Sequence, residues 1–351
     1  MADIAELARR FRESGDDHHN RSPLYATLNR QVAEHPDLVE LLTAAPDEQQ
    51  LPVLLLAAVH SLVLAEPDLE LAAWYPTTSP DPVPTDPFPA FARLCRDRAD
   101  EIRSIVSTRT VQTNEVGRCA FLVPALGLVE AEAGPLAIVD VGTSAGLNLH
   151  LDRFAYHYSP GGRLGGPSPV LIRCGIRGEI PIPRRLPTVS SRVGIDRSPV
   201  DLTDPEQARW LLACVWPDQA DRFRRLAAAI EIASSNPVAV QRADAVEAVR
   251  AVVAAQAEIA HPVVVNSWVL SYLPERRRRD YVAELDAAGQ TCDLTWIAAE
   301  APALCAGLPY PAHLQDVHRT VVLLVRWRRG VRTVVHVATA HPHGYWMHAP
   351  V

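Results

Sequence analysis

Gly142-Thr143-Ser144-Ala145-Gly146 is the stretch of this sequence whose residue types and spacing point most directly to chemistry. It follows an apolar, β-branched run over 136–141, with Asp140 inside it, of the kind that forms a strand buried on both faces of a parallel sheet. After it come Leu147, Leu149, Leu151 and Phe154 among polar residues, which read as an amphipathic helix. A strand, a glycine turn and a helix aim backbone N–H groups at a ligand, and glycine lets the chain turn tightly while a ligand approaches. Two uses of such a turn fail at once. The dinucleotide pattern G-x-G-x-x-G has Ser144 and Leu147 at its second and third glycine positions. A P-loop needs lysine, and all 34 basic residues are arginine. Two uses stay open. As G-x-S-x-G the turn matches a nucleophile elbow with Ser144 as nucleophile. As Asp140-Val-Gly142-Thr-Ser-Ala-Gly146 it is an acid followed by two glycines four apart.

In the second form the sequence resembles the class I S-adenosylmethionine-dependent methyltransferases, whose first strand ends in this way. The middle glycine common in that family is Ser144 here, which offers a hydroxyl instead. The resemblance covers about residues 111–351. It implies an α/β fold: a seven-stranded, mostly parallel, doubly wound sheet with an antiparallel C-terminal hairpin, preceded by a helical N-terminal region. It also implies S-adenosylmethionine as cofactor. Gly142, Thr143 and Gly146 would then approach its methionine and ribose part, Ser144 would add a hydroxyl contact, and Asp140 would order the loop. Asp196 ends the next apolar strand, 193–196, where an acid accepts hydrogen bonds from ribose hydroxyls; the structural alternative is a helix cap or a surface acid. Asp244-Ala245, after the strand at 238–240, would border the adenine. Asn266, ending the strand at 262–266, replaces the acid often found in related enzymes. Glu115 and Arg118 open the helix that leads into the central strand, with Thr113 or Asn114 as its cap. They would meet the amino and carboxylate groups of the cofactor, or serve only as a cap and a surface ion pair. A hydroxyl or protonated amine acceptor requires a base, and Tyr272 and Glu300, at strand ends facing the site, are the candidates.

The elements that position these residues follow from periodicity. Residues 1–110 read as helical: Ile4, Leu7, Ala8 and Phe11 recur at helical spacing, and Ser22-Pro23 is a cap and first-turn pair. A Pro-rich connector runs over 74–89. This region is a possible lid or cap over the domain that follows. The stretch from 157 to 191 reads as an insertion at the rim of the ligand site, with a β-hairpin over 170–174 and 179–182. Asp204-Pro205 caps a helix. Residues 320–325 and 331–338 read as the closing hairpin, whose last strand runs away from the ligand edge. His341 and His343 would therefore lie at the opposite end of the sheet. Over its full length, including Gln112 to Arg118 and the 193–201 segment, the chain also resembles an uncharacterised actinobacterial family of unknown function.

Composition narrows the classes further. The 351 residues are 48% hydrophobic and 21% charged, ordinary for a globular protein. A net charge of −7 provides no global basic field for a polyanion, so no nucleic-acid partner is indicated; a small-molecule substrate is what the resemblance implies, through the 262–274 run. Without lysine there is no Schiff-base chemistry. Cys95, Cys119, Cys174, Cys214, Cys292 and Cys305 are scattered, so neither a zinc site nor a disulfide framework is signalled. His18-His19 and His341-Pro-His343 lack a third ligand, and no metal is expected. The N-terminal residues do not form a signal peptide, and no apolar run spans a bilayer, so a cytoplasmic protein is expected. Two functions compete with methyl transfer: an esterase of α/β-hydrolase type, with Ser144, then Asp244 or Asp293, then His341 in hydrolase order, and a non-catalytic domain of the same fold.

Overall fold

In the computed structural model, residues 3–19, 21–304, 308 and 319–350 are described; Cys305 lies outside them. The chain divides into two units, Met1–Thr113 with Thr203–Ala227, and Asn114–Leu202 with Ala228–Val351.

The first unit is helical, as its periodicity predicts. It holds α1 (Ile4–His18), α2 (Pro23–Val32), α3 (Pro36–Glu40), α4 (Pro52–Ala65), α5 (Phe88–Asp97) and α6 (Ala99–Thr108). The second unit contributes α7 (Cys119–Ala133), and the chain then re-enters the first unit as α8 (Pro205–Ala213). Ser22 caps α2 by accepting from the Tyr25 N–H, and Asp204 caps α8 by accepting from the N–H groups of Glu206 and Gln207. Trp210 and Ala213 of α8 are buried in one cluster with Phe11, Leu28, Leu55 and Phe91.

His60 of α4 is fully buried in this unit. Its Nδ1 lies 3.0 Å from the Ala213 carbonyl and its Nε2 2.8 Å from Thr77 Oγ1. Burial opposes the charged imidazolium and pushes the His60 pKa down to about 4. The unfolded chain binds this proton below about pH 6.5 and the folded chain only near pH 4. The stability is therefore complete above pH 6.5 and is lost as pH falls toward 4. At pH 5 about 2 kcal/mol of stability has been lost in this way. Urea unfolding at pH 7 and pH 5 should show that His60→Gln narrows the gap between the two stabilities by about that amount; an unchanged gap would refute it.

The second unit carries an eleven-stranded mixed sheet rather than the seven strands expected. Its strands are β1 (Leu136–Val141), β2 (Ala155–Ser159), β3 (Gly162–Leu164), β4 (Leu171–Arg177), β5 (Val189–Asp196), β6 (Ala239–Arg242), β7 (His261–Ser267), β8 (Leu294–Glu300), β9 (Thr320–Arg328), β10 (Val331–Ala340) and β11 (Trp346–His348). Their order is β3-β2-β4-β11-β10-β9-β8-β7-β1-β5-β6. From β6 to β8 all pairs are parallel, and the central strands β1, β7 and β8 are buried almost throughout, as expected of a parallel sheet. β9 is antiparallel to β8, and β10 to β9, which gives the expected hairpin. After α9 (Ala220–Ser235), α10 (Ala245–Ala257) and α11 (Glu275–Gly289) follow, and they share an apolar cluster with Val139, Val193, Val264, Trp296 and Leu323 from one face of the sheet.

Two local expectations are corrected. The segment after Gly146 is a 3-10 turn, Leu147–Arg153, with His150 off helical geometry, because the chain must re-enter the sheet at Ala155. No hairpin joins 170–174 to 179–182: Gly175 stays inside β4, paired with Trp346, and Pro181, Pro183 and Pro187 remove donors from the segment beyond. The 157–191 region instead supplies strands to the sheet, tied in by β11. One tie has a covalent origin. Pro124 inside α7 has no N–H to offer the Ala120 carbonyl, and that carbonyl accepts from the Tyr158 hydroxyl of β2 at 2.9 Å.

Candidate functional site

The strand order reverses beside β1: β5 and β6 lie on one side of it, β7 and β8 on the other. In open α/β sheets, the carboxyl edge at such a reversal is where ligands bind. The 142–146 turn leaves β1 at that edge. Gly142 (φ +71°) and Gly146 (φ +73°) take left-handed conformations natural to glycine, and Ser144 takes φ +54°. A Cβ on Gly142 would lie 2.5 Å from Val269 Cγ2, so the position admits no side chain as it stands.

Two carboxylates hold the turn. Asp140 Oδ2 accepts from the Thr143 hydroxyl at 2.6 Å. Asp196, at the end of neighbouring β5, accepts from the Ser144 N–H at 2.7 Å and the Ser198 N–H at 2.8 Å. Asp140 is buried, and burial, aided by the charge of Asp196, pushes its pKa up to about 7 against the pull of Thr143 and Arg118.

The segment 114–118 crosses the same edge. Its cap is Glu115, not Thr113 or Asn114: Glu115 Oε1 accepts from the Gly117 N–H at 2.8 Å. Asn114 Nδ2 donates to the Thr143 carbonyl at 3.5 Å. Arg118 donates to the Ser267 carbonyl at the end of β7 (2.8 Å) and to the Pro342 carbonyl (3.2 Å). This last contact corrects the placement of the C-terminal histidines. β10 is antiparallel to β9, so it runs with β8 and delivers His341 and His343 to the ligand edge, not to the opposite end. His343 Nδ1 lies 3.4 Å from Glu115 Oε2, and His341 Nδ1 accepts from the His343 N–H at 3.0 Å.

The other expected site residues have different surroundings. Asn266 is fully buried, and its Oδ1 accepts from Tyr281 (2.8 Å) and Trp296 (2.7 Å) on the α11 side of the sheet. Asp244 caps α10 through the Val246 N–H (2.9 Å) and pairs with Arg277 (2.6 Å); Ala245 opens that helix, half-buried. Glu300 is buried with its carboxylate on the N–H groups of Val269 (2.9 Å) and Leu270 (3.2 Å). Burial pushes its pKa up to about 7. Tyr272 is 73% exposed. For the hydrolase alternative, the positive φ of Ser144 is the strain an elbow stores, but its partners are engaged elsewhere. Asp293 accepts from the Arg329 N–H at 2.7 Å, Asp244 holds Arg277, and His341 Nδ1 is an acceptor where a triad histidine donates to its acid.

The edge thus brings together Asp140, Gly142, Thr143, Ser144, Gly146, Asp196, Glu115 and Arg118. It adds residues that sequence reasoning missed: Asn114, Ser267, His341 and His343. The Ser267 hydroxyl is buried without a partner among the described residues. Only the His-Pro-His-Gly run after a long apolar strand signalled the histidines. Among the described residues no group of three or more His, Cys, Asp or Glu is arranged to hold a metal, and no helix is long and apolar enough to cross a membrane.

Fold and edge define an α/β protein with a large mixed sheet and a glycine turn at its point of strand reversal. The chain belongs to the family described as an uncharacterized protein conserved in bacteria (DUF2332), which matches residues 8–348. No curated protein matches the chain. One solved structure, from work on the conversion of a disulfide bond into a thioacetal group during echinomycin biosynthesis, shares 15% identity over 61% of this chain and 77% of that one. Its TM-score is 0.22, a likeness too slight to bear on this chain.

Proposed function

We propose that the protein binds S-adenosylmethionine at the carboxyl edge of β1 and β5 and transfers its methyl group to a small acceptor. The observation that carries this reading is the position of the Asp140–Gly146 turn at the strand reversal, with the Asp196 carboxylate beside it. The residues present fit the ligand. Gly142 is exposed and without a side chain. Each Asp196 oxygen takes one backbone N–H and keeps a lone pair for a ribose hydroxyl. Arg118 offers a positive charge for the carboxylate group, and Ala245 ends the row where the adenine would lie. Asp244, committed to Arg277, serves there by placing the start of α10.

When bound, the cofactor supplies an electrophilic methyl group on sulfur. The chain's task is alignment and exclusion of water. Asp140 and Asp196 fix the turn, and Arg118 fixes the end of β7 against the His341–Gly344 turn.

The test is calorimetric titration with S-adenosylmethionine and S-adenosylhomocysteine. Micromolar binding is expected, weakened tenfold or more, about 1.4 kcal/mol, by Asp196→Ala, with the thermal midpoint of the variant recorded to exclude unfolding. No binding by a folded, ligand-free sample overturns the reading.

A further inference from the structure

We propose that Glu115 and His343 form a carboxylate–imidazole dyad that takes a proton from the methyl acceptor, which makes that acceptor a hydroxyl or an ammonium group. The proposal deepens the methyl-transfer reading and rests on it for the nature of the step. Three observations carry it. First, the direction of β10 brings His343 to the ligand edge, where Glu115 Oε2 lies 3.4 Å from its Nδ1. Such contacts are often long in the free enzyme and tighten when substrate binds.

Second, the pair is built asymmetrically. The Glu115 side chain is 3% exposed and held by the Gly117 N–H, while the His343 side chain is 30% exposed. Nδ1 itself is sealed from solvent, so the exposure of the side chain belongs to the rest of the ring. A carboxylate at Nδ1 fixes the tautomer with its proton there and leaves Nε2 as the basic atom. Third, the same short segment touches both halves of the site. Asn114 reaches the Thr143 carbonyl of the glycine turn, and Arg118 reaches Pro342 beside His343. The dyad and the turn are therefore neighbours across residues 114–118.

The step balances simply. An ammonium acceptor gives up a proton first, which exposes its nitrogen lone pair, and a hydroxyl gives up its proton as it attacks; that lone pair forms the new bond to the methyl carbon, and the pair of the carbon–sulfur bond returns to sulfur. The proton released from the acceptor goes to His343 Nε2 and from there to solvent.

The geometry sets opposite tautomers two residues apart. His341 Nδ1 accepts a hydrogen bond, which puts its proton on Nε2, whereas the dyad requires the proton of His343 on Nδ1. Long-range proton–nitrogen NMR spectra of the full chain at pH 8 distinguish the two without any ligand. The expected result is bare Nε2 on His343 and bare Nδ1 on His341. Glu115→Gln keeps an acceptor oxygen for the Gly117 N–H and offers Nδ1 an amide donor, so it should switch His343 to the Nε2–H form. It should also slow diethylpyrocarbonate acylation of His343 at least threefold. An Nε2–H tautomer in the parent, or acylation unaffected by Glu115→Gln, overturns the dyad. Titration of the same parent sample with S-adenosylhomocysteine reads the cofactor separately: absence of binding overturns the assignment to methyl transfer, even where the tautomers are as expected.

Discussion

Replacing Asp140 by Asn is expected to stabilise the protein above pH 7 and to leave it unchanged near pH 4. Burial holds the Asp140 carboxyl at about 7 in the folded chain, against an ordinary value of 3.8. The folded state therefore binds a proton that the unfolded state has released between those two values. The contribution is complete below about pH 3.8 and is lost as pH rises to 7. Above pH 7 the difference amounts to about 4 kcal/mol as an upper bound, because the turn can relax around the charge. Asn keeps the oxygen that Thr143 bonds and never ionises. Urea unfolding at pH 8 should show the variant about 1–4 kcal/mol more stable than the parent. Equal stabilities at pH 8 would sink the idea. A buried acid kept at such a cost is typical of a site that uses it. The stabilised variant should accordingly bind S-adenosylhomocysteine more weakly.

Gly344→Ala should be the most damaging single-methyl change at the edge. Gly344 has φ +74°, and a Cβ there would lie 1.9 Å from the Gly117 carbonyl oxygen. The obstacle is backbone, which cannot rotate aside as a side chain would. The His341–Gly344 turn or the 116–118 turn must shift, and with it the Arg118 contact to Pro342 and the approach of Glu115 to His343. A loss of about 3 kcal/mol or more is expected, a drop in thermal midpoint of roughly 4 °C or more for a chain of this size. Gly166→Ala is the control, since its Cβ would meet nothing within 4 Å and its φ is not positive. If calorimetry shows the two variants melting together, the close approach is not what the geometry says.

How much of this was readable in the chain depends on the range over which each feature is encoded. The runs that became β1, β7 and β9 are apolar and rich in β-branched residues, and β5 and β8 carry shorter apolar stretches, so they declare themselves locally. β2 and β11 are short and β4 has Arg173 and Gly175 within it, and only their pairing makes them strands. The direction of β10 is set by which strand β9 chooses as a neighbour, a choice no local pattern carries, and this is why His341 and His343 were expected at the wrong end. The acids were recognisable by position. Asp140, Asp196 and Glu300 each stand at or beside a strand end; Asp140 holds the Thr143 hydroxyl of its own turn, whereas the Ser144 and Val269 N–H groups held by Asp196 and Glu300 belong to segments distant in sequence. Asp244 pairs with Arg277 on another helix, a contact that no local pattern announces. Asn266 sits at the expected height in β7 but faces Tyr281 and Trp296, because the alternation of the strand turns it to the α11 side.

The return of Thr203–Ala227 to the helical unit has a consequence for synthesis. Leu54, Leu55, Val59 and Val63 of α4 share their buried cluster with Trp210 and Ala213 of α8. On the ribosome, the first 113 residues emerge without that partner, and the unit is complete only when Ala227 has been added. At ~5–20 residues per second the wait is on the order of ten seconds. Throughout it α4, the most apolar helix of the unit, has a face with no cover of its own, while β1 and β5 are already being made. The helical unit comes first in the chain but is completed only after the sheet has begun, and its vulnerability to misassembly is greatest in that interval.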